Sequence, residues 1–383
     1  TIRAASKASI REAPLHRRLR APIALATDPS PRLLNGSPVD VELGATERGD
    51  DRWTTTAGGE SSGRLRARLE ERPGMGNEFK GQAAHSAEHF GDTRDHWWNR
   101  DFLQLIAKRW NLDAVRDVLD VGCGVGHWGM LLASVMPEHV RVTGIDRETI
   151  WVEQATARAL ARGLAKRFAY QQGEAQRLPF PDDSFDLTTC QTVLIHLPDP
   201  SAAIAEMLRV TRPGGLVMVA EPNNLTESLL LDSISNQASI DEIVELVRFQ
   251  LTCERGKAAL GEGDNSVGDR VPGLFVAQGL ANVEVYVNDK AIAVFPPYAS
   301  PEQRAFTEDA RDRMGRRLWN WSEDEARRVF LAGGGAPGDF AVHFARALAS
   351  RERIVRGLDD AAYHGIIGGA FYLVAGRKPA RAD

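Results

Sequence analysis

The chain has 383 residues, of which 43% are hydrophobic and 26% charged, and its formal net charge is −5. This composition is ordinary for a globular enzyme, and the slightly acidic balance argues against DNA or RNA as a partner. The apolar runs fall far short of the ~18 residues that a membrane span requires. The three cysteines are widely spaced and form no disulfide framework, so we expect a cytoplasmic protein.

Residues 1–74 differ from the rest of the chain. They are rich in Arg, Pro, Ser and Gly and show no apolar periodicity, which predicts a disordered tail. Two alternatives stay open. In the first, the native chain begins at Met75 and the preceding residues are a non-native upstream extension. In the second, the basic stretch over residues 3–20 is an organelle transit peptide.

From residue 76 the pattern predicts helices up to residue 112, followed by strands that alternate with helices. Trp97 and Trp98 are adjacent, so on a helix only one of them can face a ligand. The alternation is typical of a parallel sheet with crossover helices. Strands are predicted at 117–121, 139–145, 167–171, 185–191 and 215–220, and helices at 127–135, 149–163 and 200–211.

The second half of the chain adds mostly helices. Ser239 begins an amphipathic helix with Glu242 as its capping-box partner, and a polar loop follows from residue 261 to 271. A helix at 272–280 precedes a strand at 283–287, and the last strand comes only at 370–376. Helices are predicted between these strands at 302–320, 322–332 and 338–357.

These patterns divide the chain into segments. Residues 75–225 hold the N-terminal helices and a ligand-binding core, 226–270 a helical insertion, 271–290 a core helix and strand, 291–367 a helical cap insertion, and 368–383 the final core strand and tail. An insertion as long as 291–367 is neither a turn nor a linker. We expect the inserted helices to form a cap over the substrate; an appendage that stabilises or dimerises the protein is the alternative, and a homodimer is left open.

The core is organised around the stretch Val118-Leu119-Asp120-Val121-Gly122-Cys123-Gly124-Val125-Gly126. A buried strand ends here, and alternating glycines let the main chain turn sharply and approach a ligand closely. With Asp146 about 20 residues on, the glycines also satisfy a dinucleotide fingerprint, so an NAD(P)-dependent oxidoreductase stays open. Asp120 favours another ligand, because its carboxylate would repel a pyrophosphate and attract an ammonium or sulfonium group.

Six motifs in order strengthen this interpretation: the glycine turn, Gly144-Ile145-Asp146, Gly173-Glu174-Ala175, Leu178 to Asp186, Leu194 to Asp199, and Leu208 to Gly215. Together they resemble a class I S-adenosylmethionine-dependent methyltransferase of the small-molecule type, which includes the ubiquinone and menaquinone methylases. The resemblance implies an α/β fold with a doubly wound, mostly parallel seven-stranded sheet that is Rossmann-like. It also implies S-adenosyl-L-methionine as cofactor and a small-molecule methyl acceptor.

The resemblance assigns cofactor contacts to residues at the ends of the strands. Asp146 would accept the ribose hydroxyls, and Gln191 would face the cleft from the fourth strand. Arg147 would flank the ribose or lie in solvent, and Trp151 would lie over the adenine or in the core. The predicted cofactor-binding residues are Asp120, Gly122, Gly124, Gly126, Asp146, Arg147, Glu174, Ala175 and Gln191.

Two residues are candidates for catalysis. His196 follows the fourth strand where the family often has a base, and the ordinary pKa of histidine suits that task. The alternative for His196 is a packed side chain. Glu221, at the end of the fifth strand, is the second candidate, and its alternative role is binding a polar group of the substrate. Tyr363 and His364 precede the last strand, and nothing in the sequence ties them to the site.

The cysteines and histidines show no metal-ligand spacing, so no metal is expected. Aromatic residues in the predicted cap suggest an apolar or aromatic metabolite as substrate. These are Phe295, Tyr298, Phe306, Trp319, Trp321, Phe330, Phe340 and Phe344. A non-catalytic cofactor-binding module of the same fold stays open.

Overall fold

A computed structural model describes Arg94 and residues 96–380 of the chain. The predictions for residues 1–74, and those for most of 75–95, lie outside these described residues and stay predictions. None of the helices in the described part has the length and apolar character that crossing a bilayer demands.

Seven of the nine strands in the described residues form one sheet in the order β3-β2-β1-β4-β5-β9-β6. Strands β1 to β5 pair in parallel, whereas β9 is antiparallel to both β5 and β6. This arrangement confirms the predicted doubly wound, mostly parallel sheet. The strands are β1 (Asp117–Val121), β2 (Arg141–Asp146), β3 (Phe168–Gln172), β4 (Phe185–Gln191), β5 (Thr211–Asn223), β6 (Ala281–Val287), β7 (Ile292–Val294), β8 (Gly365–Ile367) and β9 (Ala370–Arg377).

Two features of the strands differ from the predictions. β5 begins at Thr211 rather than at residue 215, because the β4–β5 register shifts between Phe185 and Leu187 and the extra residues form a bulge. The short strands β7 and β8, which pair with each other outside the main sheet, were not predicted. They are only three residues long each and give too little alternation to be recognised in the sequence.

The helices are α1 (Arg100–Arg109), α2 (His127–Ala133), α3 (Thr149–Ala161), α4 (Pro200–Val210), α5 (Ile240–Ala259), α6 (Val271–Ala277), α7 (Pro301–Gly315), α8 (Glu323–Ala332) and α9 (Phe340–Asp359). The side chain of Asp199 accepts a hydrogen bond from the Ala202 N–H, as expected of an N-cap. Only half of the capping box predicted for α5 forms. Ser239 accepts the Glu242 N–H, but the Glu242 carboxylate pairs with Arg353 on α9.

The sheet carries a hydrophobic core on each face. Val118 of β1 packs with α1 and α2 on one face, whereas its neighbour Leu119 packs with α4 and α6 on the other. This alternation follows from the two-residue period of a strand. The two cores leave the carboxyl ends of the parallel strands open at one edge, where the loops after β1, β2 and β4 meet.

We call residues 226–270 and 291–367 the cap. Helices α5, α8 and α9 surround a separate aromatic core in which Phe249 stacks on Trp319 with ring centroids 4.7 Å apart. A 20-residue helix from the first segment therefore shares its core with two helices from the second. The two insertions, distant in sequence, form one packed unit.

Candidate functional site

A cavity of about 740 Å³ lies at the carboxyl ends of the parallel strands and extends beneath the cap. Core residues and cap residues both contribute to its walls. In open α/β sheets ligands bind at this edge, because loops from neighbouring strands converge there. The cavity is therefore the candidate active site.

The glycine turn forms the floor of the cavity. Gly122 has a φ of +64°, and a Cβ on it would lie 2.5 Å from Cγ2 of Val193, so neither the conformation nor the space admits a side chain. Gly124 also lines the cavity. Gly126 faces elsewhere: a Cβ there would lie 2.6 Å from the Tyr170 hydroxyl. Of the three predicted glycines, two border the cavity and the third packs beneath the turn.

Asp120 lies under this turn with a buried carboxylate. Its Oδ2 accepts the Gly129 N–H at 3.0 Å, while its buried Oδ1 has no hydrogen-bond partner. Burial raises the pKa of Asp120 to about 7, against the opposing effect of the Gly129 hydrogen bond. A buried carboxylate oxygen without a donor is costly unless a ligand supplies one. The residues present thus fit a cationic ligand.

Asp146 connects the end of β2 to the turn. Its Oδ2 accepts the Gly124 N–H at 2.9 Å and its Oδ1 accepts the Glu148 N–H at 3.0 Å. Burial raises the pKa of Asp146, although both backbone bonds oppose this. Arg147 donates to Glu148 at 3.1 Å. The remaining residues predicted at this side, Glu174, Ala175 and Gln191, also line the cavity, as do Arg147 and Trp151.

The two adjacent tryptophans have different surroundings. Trp97 lines the cavity, whereas Trp98 is buried against Trp128 with ring centroids 5.1 Å apart. The helix predicted over them is wrong, because α1 begins only at Arg100.

His196 lines the cavity at the end of a short 3-10 turn that follows β4. Glu221 lies behind this turn rather than in the cavity wall. Its Oε1 accepts the N–H groups of Val193 and Leu194, each at 2.9 Å. Burial raises the pKa of Glu221 to about 7. The position of Glu221 thus corrects the expectation of direct catalysis: the carboxylate supports the backbone that carries His196.

The cap holds the same turn from the other side. Nζ of Lys257, a buried residue of α5, donates to the Ile195 carbonyl at 2.7 Å and also to Oδ1 of Asn265. Burial lowers the pKa of Lys257 to about 8. Gly263 approaches so closely that a Cβ on it would lie 2.3 Å from the Ile195 carbonyl oxygen. Sequence analysis missed both residues; the only signal was a glycine in a polar loop.

The cap side of the cavity is more polar than its aromatic content suggested. Of the predicted cap aromatics, Phe306 and Trp319 line the cavity, while Trp321, Phe330, Phe340 and Phe344 pack in the cap core. Tyr363 is buried elsewhere, and His364 donates its backbone N–H to Ser233. The polar cap residues that line the cavity include Gln250, Glu254, Asp309, Arg313, Asn320 and Arg351. Within the described residues, no three His, Cys, Asp or Glu side chains are grouped as metal ligands.

Comparison with known proteins identifies the core. Residues 112–260 match the family model described as a methyltransferase domain. Demethylmenaquinone methyltransferase from Geobacillus stearothermophilus is 33% identical over 129 residues, which cover 34% of this chain and 53% of that protein. Methyltransferase GfsG from Streptomyces halstedii is 37% identical over 118 residues, covering 31% and 42%.

A third relative, the uncharacterized methyltransferase YcgJ from Bacillus subtilis, is 34% identical over 134 residues, covering 35% of this chain and 51% of that protein. The chain thus spans about half the length of these curated relatives. The matched segment contains β1 to β5 and all nine residues of the predicted cofactor site. Residues 112–260 are therefore similar to methyltransferase domains, and we refer to this segment as the methyltransferase domain.

Proposed function

We propose that the protein transfers a methyl group from S-adenosylmethionine to a small metabolite with an apolar or aromatic body. The observation that carries this proposal is the unpartnered Oδ1 of Asp120, buried beside Gly122 in the wall of a cavity that continues under the cap. A pyrophosphate at this turn would meet a carboxylate, whereas a cation would neutralise it. This electrostatic preference disfavours the oxidoreductase alternative.

The residues at the strand ends would hold the cofactor, which when bound supplies a methyl group already activated by its sulfonium. Each oxygen of Asp146 accepts one backbone N–H and retains a lone pair for a hydroxyl. Glu174 and Ala175 border the part of the cavity nearest β3, where the family binds adenine. Trp151 lines the same cavity.

His196 would take the proton that the acceptor loses. Its position in the cavity wall and the hydrogen bonds to its backbone turn support this role, since a general base acts only when it is held within reach of the proton. Such catalysis contributes roughly 10²–10⁴-fold in rate, and orientation of the reactants contributes much of the rest. Glu221 and Lys257 would be positioning residues that act through this turn.

The cap would cover the acceptor. Leu246, Phe306, Trp319 and Ile354 supply apolar surface to the cavity from four separate parts of the cap. Burial against these side chains would retain an apolar or aromatic body while the strand-end residues hold the cofactor. The cytoplasmic location and the homodimer remain predictions.

Calorimetry with S-adenosylhomocysteine and with NAD tests the cofactor assignment. We expect S-adenosylhomocysteine to bind and NAD not to bind; the opposite result would favour the oxidoreductase. Transfer of a labelled methyl group to a panel of small acceptors then tests the reaction. A chain that binds the cofactor but methylates no acceptor would favour the non-catalytic module.

The His196→Ala variant tests the base. We expect turnover to fall at least ~100-fold with unchanged affinity for S-adenosylhomocysteine, because the side chain acts on the acceptor and not on the cofactor. His364→Ala is the matched control, since His364 is exposed and lies outside the cavity wall. Equal turnover in the wild type and the His196 variant would remove this residue from the mechanism.

A further inference from the structure

The cap side of the cavity contains a guanidinium with unused donors. Arg351 projects from α9 into the cavity wall. Its Nη2 donates to Oδ1 of Asn320 at 2.8 Å, and its Nε is buried without a hydrogen-bond partner. Within the described part of the chain, no carboxylate forms an ion pair with Arg351. Asn320 therefore fixes the direction of the side chain but does not balance its charge.

The acidic residues nearby do not supply the missing partner. Asp309 accepts a hydrogen bond from Nε of Arg313 at 2.8 Å, so its charge is already matched. Glu227 lines the same part of the cavity but makes no ion pair with Arg351. Burial raises the pKa of Glu227, and only the two arginines oppose that effect. Arg351 therefore feels the charge of Glu227, but no carboxylate among the described residues contacts its guanidinium.

A buried cation in this state is costly to the free protein. Desolvation lowers the pKa of Arg351 to about 10, although Glu227 and Asp309 oppose this shift, and a buried N–H donor without a hydrogen-bond partner destabilises the free protein. The fork of an arginine matches the two oxygens of a carboxylate, which brings a single charge. A phosphate brings about −1.5 to −2 and would need a further free cation.

The other side chains that line the cavity indicate the chemical character of the rest of the ligand. Leu246, Trp319 and Ile354 line the same cavity as Arg351 and offer apolar surface. His196 and Asp120 lie in the wall formed by the sheet edge. A molecule with an acidic end under the cap would thus direct its other end toward the methyltransferase domain.

We propose that Arg351 binds a carboxylate of the methyl acceptor, so that the substrate is an apolar or aromatic carboxylic acid methylated at its far end. This deepens the proposed function and rests on it for the identity of the reaction. The acid itself is bound, not methylated, because its oxygens are occupied by the guanidinium.

The test uses the full chain saturated with S-adenosylhomocysteine. Benzoate, cinnamate and octanoate are titrated beside their primary amides, which keep the shape and remove the charge. We expect at least one acid to bind tenfold or more tightly than its amide, since hydrogen bonds to a charged group contribute ~1.5–3 kcal/mol. Arg351→Met should abolish this preference. Arg356→Met is the matched control, because Arg356 is on the same helix but 65% exposed.

Equal binding of every acid and its amide to the wild type would overturn the proposal, as would a preference that persists in Arg351→Met. If that variant does not fold, Arg351→Lys replaces it. Because lysine keeps the charge but not the forked geometry of the guanidinium, the acid should bind to this variant roughly tenfold more weakly than to the wild type. Unchanged binding would count against the proposal. Failure of S-adenosylhomocysteine to bind would instead count against the proposed function. In that case the titrations are repeated without it, and an Arg351-dependent acid preference would still support the carboxylate site.

Discussion

The two insertions of the cap meet where the backbones of α5 and α8 touch. A Cβ on Gly256 would lie 1.6 Å from the Val329 carbonyl oxygen, and one on Gly333 would lie 2.0 Å from the Thr252 carbonyl oxygen. Gly256→Ala therefore brings a methyl group against main chain that cannot rotate away. Restoring an ordinary contact of 3.4 Å requires the two backbones to separate by about 1.8 Å.

Such a separation would disturb the aromatic core of the cap. Phe249 on α5 has its ring centroid 4.7 Å from that of Trp319 and 5.4 Å from that of Phe330, so a shift of this size breaks close contacts. Overpacking costs typically 1–3 kcal/mol, and we expect the upper end because the obstacle is backbone. In a domain of this size that corresponds to a fall in Tm of roughly 5–10 °C.

Thermal unfolding of Gly256→Ala, with calorimetry of S-adenosylhomocysteine binding, checks this expectation. Cofactor affinity should persist, because the glycine turn belongs to the methyltransferase domain. Gly315→Ala is the control: Gly315 ends α7 in the same cap, and a Cβ there meets nothing within 4 Å. Its Tm should stay equal or rise slightly, since alanine restricts the unfolded chain. An unchanged Tm in Gly256→Ala would refute the reasoning.

Three further variants test the methyltransferase domain. Asp146→Ala should weaken S-adenosylhomocysteine binding by roughly 10–100-fold, as loss of hydrogen bonds to a charged group does; an unchanged Kd in calorimetry would contradict it. Because the pKa of Asp120 is about 7, wild-type affinity for S-adenosylmethionine, which carries an ammonium and a sulfonium group, should rise between pH 5.5 and 7.5, and Asp120→Asn should bind it more weakly with a flat profile. For Glu221, the folded pKa of about 7 exceeds the ordinary value of 4.5, so its contribution to stability falls as pH rises through that interval. Glu221→Gln should flatten that part of the plot of unfolding free energy against pH, measured by denaturant unfolding. It should also lower turnover at unchanged cofactor affinity. A pH dependence of stability like that of the wild type would count against burial of the carboxylate.

The sequence allowed the sheet and the cofactor side of the site to be predicted because their signals are local. The strand before Gly122, the acid that ends β2 and the N-cap at Asp199 each depend on neighbours within a few residues. The order of the six motifs along the chain then indicated the family that the core resembles. The two strands that complete the sheet were also recognisable, although 82 residues separate the end of β6 from the start of β9.

The rest depends on contacts between distant segments. The residues next to Glu221 in the sequence do not indicate that its carboxylate points toward Val193 and away from the cavity. This direction depends on how the end of β4 packs beside β5. Arg351 looks like any charged residue of an amphipathic helix, and only the packing of α9 makes it line the cavity. The same holds for the cap aromatics: their spacing indicates burial but not which of them line the cavity.

The cap and the methyltransferase domain share one short piece of backbone. Glu221 accepts the N–H groups of Val193 and Leu194, while Lys257 donates to the carbonyl of Ile195, the residue before His196. Lys257 directly follows Gly256, so the helix position that touches α8 is next to the one that touches the His196 turn. A displacement of α5 must therefore pull on this turn or break the Lys257 hydrogen bond. For this reason Gly256→Ala should lower turnover as well as stability, although it lies in the cap and outside the cavity wall.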